Sequence, residues 1–280
     1  MARARRRGGG LFQRCYDCSM DVVALMALAT SVEDEAPRLA ADLGSTAYET
    51  ALLLRSPSPV PVLRTDDRAR ALDILAKLRA RGHDAVACDA SAVVSADAMM
   101  PVRSFRMEDD AFVVNAANAS VSIPWSDLRA VIRAIHRTSS QHVEKTAEKK
   151  LSLGRAAMSG GVMMTKTVTT SAKHTVEERE QVLYVFRHNG IPLLAALSRT
   201  RYDGLGAELR PSQLENWNTL LRTVRTRAPQ ALYDERLLAP RPGLDRPTVG
   251  SAGTISASSS DGIDLLAHLL ALAGTRRPYR

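Results

Sequence analysis

The chain has 280 residues, of which 45% are apolar and only 4% aromatic, with a formal net charge of +8. Such a length accommodates two ordinary domains, each with its own core, and the apolar share excludes global disorder. The charge is divided, +4 over residues 1–19, −4 over 20–100, +6 over 101–238 and +2 over 239–280, which is not the single basic face of a nucleic-acid-binding surface.

Residues 1–19 are a basic leader containing Arg3, Arg5, Arg6, Arg7 and Arg14. It reads either as an arm for an anionic partner or as a stretch ahead of a translation start at Met20, directly before the first strand. Cys15 and Cys18 have the spacing of zinc knuckles and redox pairs. Such sites need a second ligand pair or a following helix, and the third cysteine, Cys88, falls on a distant strand, so no metal and no cofactor are expected. The run Val22–Ala29 is led by Asp21 and is no signal peptide, and nothing reaches the ~18 apolar residues of a membrane span. The reading is a cytoplasmic protein.

Residues 20–98 read as strand, helix, helix, strand, helix, strand. Val22–Met26 is the first strand. Ser31-Val-Glu-Asp34 fits a capping box, Ala36, Leu39, Ala40 and Leu43 recur at helical spacing, and Gly44 supplies the stop. Ser45 is expected to cap a second helix ending at Leu54. Val60–Leu63 is the second strand. A helix over Asp66–Arg81 puts Ala71, Ile74, Leu75 and Leu78 on one face, with acids at its positive end and bases at its negative end. Gly82 ends it, and Asp84–Cys88 is the last strand.

The segments Leu43–Leu54 and Asp67–Val86 resemble the C-terminal domain of the bacterial ribosomal stalk protein, a fold shared with the Clp protease adaptor. The likeness covers about a quarter of the chain. It implies a docking module, but the Lys-rich helix by which the stalk domain engages translation GTPases has no counterpart: Ser45, Thr46, Tyr48 and Glu49 stand there.

A second domain spans 101–238. Strands are expected at Val102–Met107, Ala111–Val114, Ser120–Ile123, Gln181–Arg187 and Ile191–Ser198. Asn189-Gly190 predicts a type I′ turn between the last two. Ser212-Gln-Leu-Glu215 reads as a capping box for a helix whose stripe is Trp217, Leu220, Leu221, Val224 and Ala228, ending at Pro229. Strands closed by one amphipathic helix, together with Ile123-Pro-Trp-Ser-Asp-Leu-Arg-Ala-Val-Ile132, resemble a bacterial pleckstrin-homology-like barrel. Over 127–137 both periods fit: Leu128, Val131, Ile132 and Ile135 as a helix, Ala130, Ile132 and Ala134 as a strand. The resemblance tips it to strand.

The insertion 138–180 reads as a solvated connector with a short helix. Gly160, Gly161, Lys166 and Thr167 lack the Gly-Lys-Ser/Thr ending of a phosphate-binding loop. Lys149, Lys150, Arg155 and Lys166 are its candidate contacts for an anion or a protein partner. Residues 239–260 read as a Pro-, Gly- and Ser-rich linker, leading to an apolar helix over 261–274. That helix carries Leu265, Leu266, Leu269 and Leu270 as candidate docking residues. It is expected either to dock back onto the chain or to enter a partner's groove.

No catalytic signature is present: no His-Glu-x-x-His, no Gly-x-Ser-x-Gly, no Gly-x-Gly-x-x-Gly. The chain therefore reads as α+β, a small β-α-α-β-α-β domain followed by a PH-like β-barrel or sheet domain with a C-terminal amphipathic helix. Its expected role is that of a non-enzymatic adaptor of the bacterial cytoplasm with an unidentified protein partner. An anion binder for nucleic acid or acidic lipid is the alternative, and an enzyme the third reading.

Overall fold

The structure, a computed structural model, describes residues 20–115, 120–151, 165–241, 246–249 and 255–274. The leader with Cys15 and Cys18, and Arg155 of the insertion, lie outside the described residues.

The first region contains β1 (Asp21–Ala27), α1 (Val32–Leu43), α2 (Ala47–Leu54), β2 (Val60–Thr65), α3 (Arg68–Ala80) and β3 (Asp84–Asp89). The strands form an antiparallel sheet in the order β2-β1-β3. Ser31 accepts from the Asp34 N–H as expected. The cap of α2 is Thr46, not Ser45: its side chain and Glu49 form a reciprocal capping box, which leaves Ser45 to bond with Thr50 at 2.9 Å. The phased face of α3 is buried with Val23 and Leu25 of β1 and Ala36 and Leu39 of α1. Glu35 is fully buried between Arg81 and His83, each 2.8 Å away. The Ala29 N–H donates to His83 Nδ1, so the ring proton is on Nε2, facing Glu35.

The second region runs β4 (Met100–Pro101), β5 (Ser104–Met107), β6 (Ala111–Asn115), β7 (Ser120–Pro124), β8 (Leu128–Leu151), β9 (Thr165–Arg187), β10 (Leu193–Ala196), α4 (Gln213–Arg227), β11 (Leu232–Leu237), β12 (Arg246–Val249), β13 (Ile255–Ser258) and α5 (Ser260–Gly274). Several expectations change here. No barrel forms among the described residues: β5-β6-β7 is a separate three-stranded sheet facing a seven-stranded one ordered β12-β13-β8-β9-β10-β4, with β11 parallel to β8. The ambiguous segment 127–137 is strand. Among the described residues the insertion is not a connector with a helix but two long strands, since β8 and β9 pair from Leu128↔Arg187 to Leu151↔Thr165. The supposed linker holds the β12–β13 hairpin, and β13 pairs with β8. β9 and β10 are antiparallel and Gly190 has φ 101°, but their ladder closes at Val185↔Leu193, too wide for a two-residue turn. Asp127 holds that loop instead, accepting from Arg187 Nε and the Asn189 N–H. Ser212 makes no side-chain cap on α4; Asn216 bonds both the N–H and the carbonyl of Arg210.

The stripe of α4 joins the two sheets. Trp217, Leu220, Leu221 and Val224 pack with Phe105, Phe112, Ile123 and Trp125 on one side and Val131, Leu183 and Val185 on the other. The opposite face of β8 and β9, with Ala130, Ile132, Ala134, Tyr184 and Phe186, meets the outer face of the first sheet, Val22, Ala24, Met26 and Val86, through α5. Leu265, Leu266, Leu269 and Leu270 are 7%, 1%, 0% and 0% exposed. The terminal helix therefore docks in cis, between two sheets. A helix this apolar, with Asp261, Asp264 and His268 as its only charged or titratable residues, requires that kind of site. Each buried Leu contributes about 2 kcal/mol, so four contribute ~8 kcal/mol before ordering entropy, comparable with a whole domain's net stability.

Polar contacts reinforce the junction. Arg236 Nη1 donates to the Met26 carbonyl at 3.0 Å, and Arg241 donates to the carbonyls of Pro57, Ser58 and Pro59.

Candidate functional site

The large sheet carries two features that its packing does not explain. The first is a cleft of about 680 Å³ on the α5 side of the sheet. Its wall and floor come from neighbouring strands: Ser258 at the end of β13, His136 and Thr138 on β8, Glu178, Glu180 and Val182 on β9, Leu194 and Ala196 on β10, Pro101 of β4 and the following Arg103. Reciprocal bonds between Arg137 and Ser259 fix the start of α5 against β8.

Inward positions on β8 are Ala130, Ile132 and Ala134, and the same alternation places His136 next. Its register partner is Glu180. His136 Nε2 lies 2.6 Å from Tyr184 Oη, and the Tyr184 hydroxyl donates to Asp264 Oδ1 at 2.5 Å. Asp264 Oδ2 accepts from the Ala96 N–H at 2.7 Å. Because the single phenolic proton goes to Asp264, Tyr184 accepts from His136. The histidine is thus the Nε2–H tautomer, with Nδ1 left as an acceptor.

Burial dominates the protonation of this chain. It pushes the His136 imidazole down to about 4, with Arg199 acting the same way and Glu180 against it. It pushes the Tyr184 hydroxyl well above its ordinary value, and raises the Asp264 carboxyl despite donors from Tyr184 and Ala96. An imidazole that weakly basic is a poor general base at neutral pH but a dependable hydrogen-bond acceptor. Glu180 accepts from the Ser198 N–H and hydroxyl at 2.8 and 2.6 Å. The guanidinium groups of Arg103 and Arg199 have no bonding partner among the described residues.

The second feature is the ribbon. β13 leaves β8 after Gln141, and β10 pairs with β9 only over Val182–Val185. Beyond those points β8 and β9 have only each other, through ten further pairs from His142↔His174 to Leu151↔Thr165, a reach of roughly 33 Å. Lys149 pairs with Thr167, and Lys150 stands directly opposite Lys166. Three of the four basic candidates thus fall on one ribbon end.

Sequence reasoning missed His136, Tyr184 and Asp264, which are 48 and 80 residues apart along the chain. Two signals were available: a histidine closing an alternating apolar series, and Asp264 alone among leucines. Among the described residues no group of His, Cys, Asp and Glu could hold a metal ion, and no helix is long and apolar enough to cross a membrane. No protein-family model matches the chain, and no curated protein or solved structure matches it.

Proposed function

We propose that this chain is a non-enzymatic adaptor of the cytoplasm whose contact arm is the β8–β9 ribbon. One observation carries the reading: ten strand pairs continue past the last neighbouring strand with both outer edges unpaired among the described residues. A two-stranded ribbon is marginal in water on its own, and open edges are where a partner's strand adds. The weak basicity of His136 also favours binding over proton transfer. The docking-module likeness of the first region agrees with an adaptor role.

Gln141 and Thr175 are register partners, so residues 142–174 can be replaced by Asn-Gly, the natural two-residue hairpin turn. The shortened chain is expected to melt within ~3 °C of the full chain and to lose the protein that the full chain retains on crosslinking. Retention of the same protein by the shortened chain would contradict the proposal.

The second reading, an anionic surface as the partner, is supported by Lys149, Lys150 and Lys166 sharing one end of the ribbon in the strand register. That reading requires binding to nucleic acid or acidic vesicles that falls steeply with salt.

A further inference from the structure

We propose that the cleft beside α5 binds a free short peptide, with its ammonium at the β8–β9 end and its carboxylate at the β10–β4 end. The order of the strands separates the acceptors from the two guanidinium groups that lack a partner among the described residues; of the other charged lining, Arg179 on β9 is paired with Glu177 at 3.0 Å and Asp97 lies just ahead of β4. His136 Nδ1 and Glu180 are acceptors on the adjacent strands β8 and β9. Arg103 and Arg199 follow β4 and β10, at the other side of the cleft. Two to three strand intervals of ~4.8 Å separate these ends, roughly 10–14 Å. An extended tripeptide spans about 10 Å.

Neither half of this lining suits a simpler ligand. A small dianion drawn to the guanidinium groups would bring no donor to the imidazole and carboxylate, and a simple cation would leave both arginines unmatched. Val182, Leu194 and Ala196 lie between the two ends, a floor for small apolar side chains. Thr138, Ser258 and Ser260 add hydroxyls for peptide groups. The volume lies within the range of small-molecule sites. The neutral imidazole is held in one tautomer by Tyr184 and Asp264, so its acceptor atom is fixed before any ligand arrives.

The test is calorimetric titration of the full chain with trialanine, with N-acetyl-trialanine and with trialanine amide. The free peptide is expected to bind, and each cap to weaken it about tenfold or more, the equivalent of ~1.4 kcal/mol. Arg103→Gln with Arg199→Gln, both exposed positions, should weaken the free acid to the level of the amide and leave the amide itself unchanged. His136→Gln keeps a donor for Tyr184 and should weaken the free amine alone. No binding of trialanine up to about 10 mM, or equal affinity for the capped peptides, overturns the proposal.

Discussion

His136 cannot gain a second ring proton without charging a buried group whose neighbour Arg199 is already positive. The unfolded imidazole takes that proton near 6.5, whereas the folded one takes it only near 4. Between those values the unfolded chain holds more protons, so stability falls as pH falls. The loss is at most about 3.5 kcal/mol, from ~1.4 kcal/mol per unit. His268, also lowered by burial, acts in the same direction, while the raised Asp264 carboxyl opposes it at the acid end of the window. Urea unfolding at about pH 7 and about pH 4.5 should show a smaller acid loss for His136→Gln than for the parent chain; an equal loss would place the acid sensitivity elsewhere. The sequence marked His136 and Asp264 as unusual for their surroundings, but not their connection, because the bonds join three distant positions that the strand register and the α5 site bring together.

At the level of elements, packing sets limits that local pattern does not. Gly204 and Gly206 lie in a 3-10 segment over Asp203–Glu208. The specific constraint comes from elsewhere: a Cβ at Gly204 would stand 1.8 Å from the Phe105 carbonyl oxygen, which is backbone of β5. Gly204→Ala should therefore destabilise by about 2–3 kcal/mol, as overpacking does, measured by urea unfolding. A loss below ~0.5 kcal/mol, usual for an exposed substitution, would show that the turn shifts freely. The helices α1 and α3 were legible because end signals and a 3.6-residue period agree, as with Ser31 and Gly44 of α1 and the stripe Ala71, Ile74, Leu75 and Leu78 of α3, whereas α2 was found with its cap one residue early. The ribbon was not, since Thr, Lys and Glu there show no apolar alternation, and its ladder rests on backbone pairing. Nor was β11, whose partner Ala130–Ala134 lies a hundred residues earlier.

For the whole molecule, the tandem arrangement expected from the sequence gains a common element. α5 presents Leu265, Leu266, Leu269 and Leu270 to a core built from β1 and β3 of the first region and β8 and β9 of the second. The sequence contained this in part: a short helix so rich in leucine demands extensive cover, but which surfaces cover it depends on the fold. The central claim is that α5 makes the two regions one cooperative unit. Both tryptophans, Trp125 and Trp217, belong to the second region, and Cys88 to the first. Burial raises the Cys88 thiol to about 11, so at neutral pH it reacts appreciably only on unfolding. The decisive measurement is urea unfolding of a chain with Cys15→Ser and Cys18→Ser, followed by tryptophan fluorescence and by Cys88 labelling. The two midpoints should coincide, and both should fall together in Leu269→Ala with Leu270→Ala. Midpoints separated by more than ~1 M urea, or a double variant that shifts only one of them, would contradict a shared core.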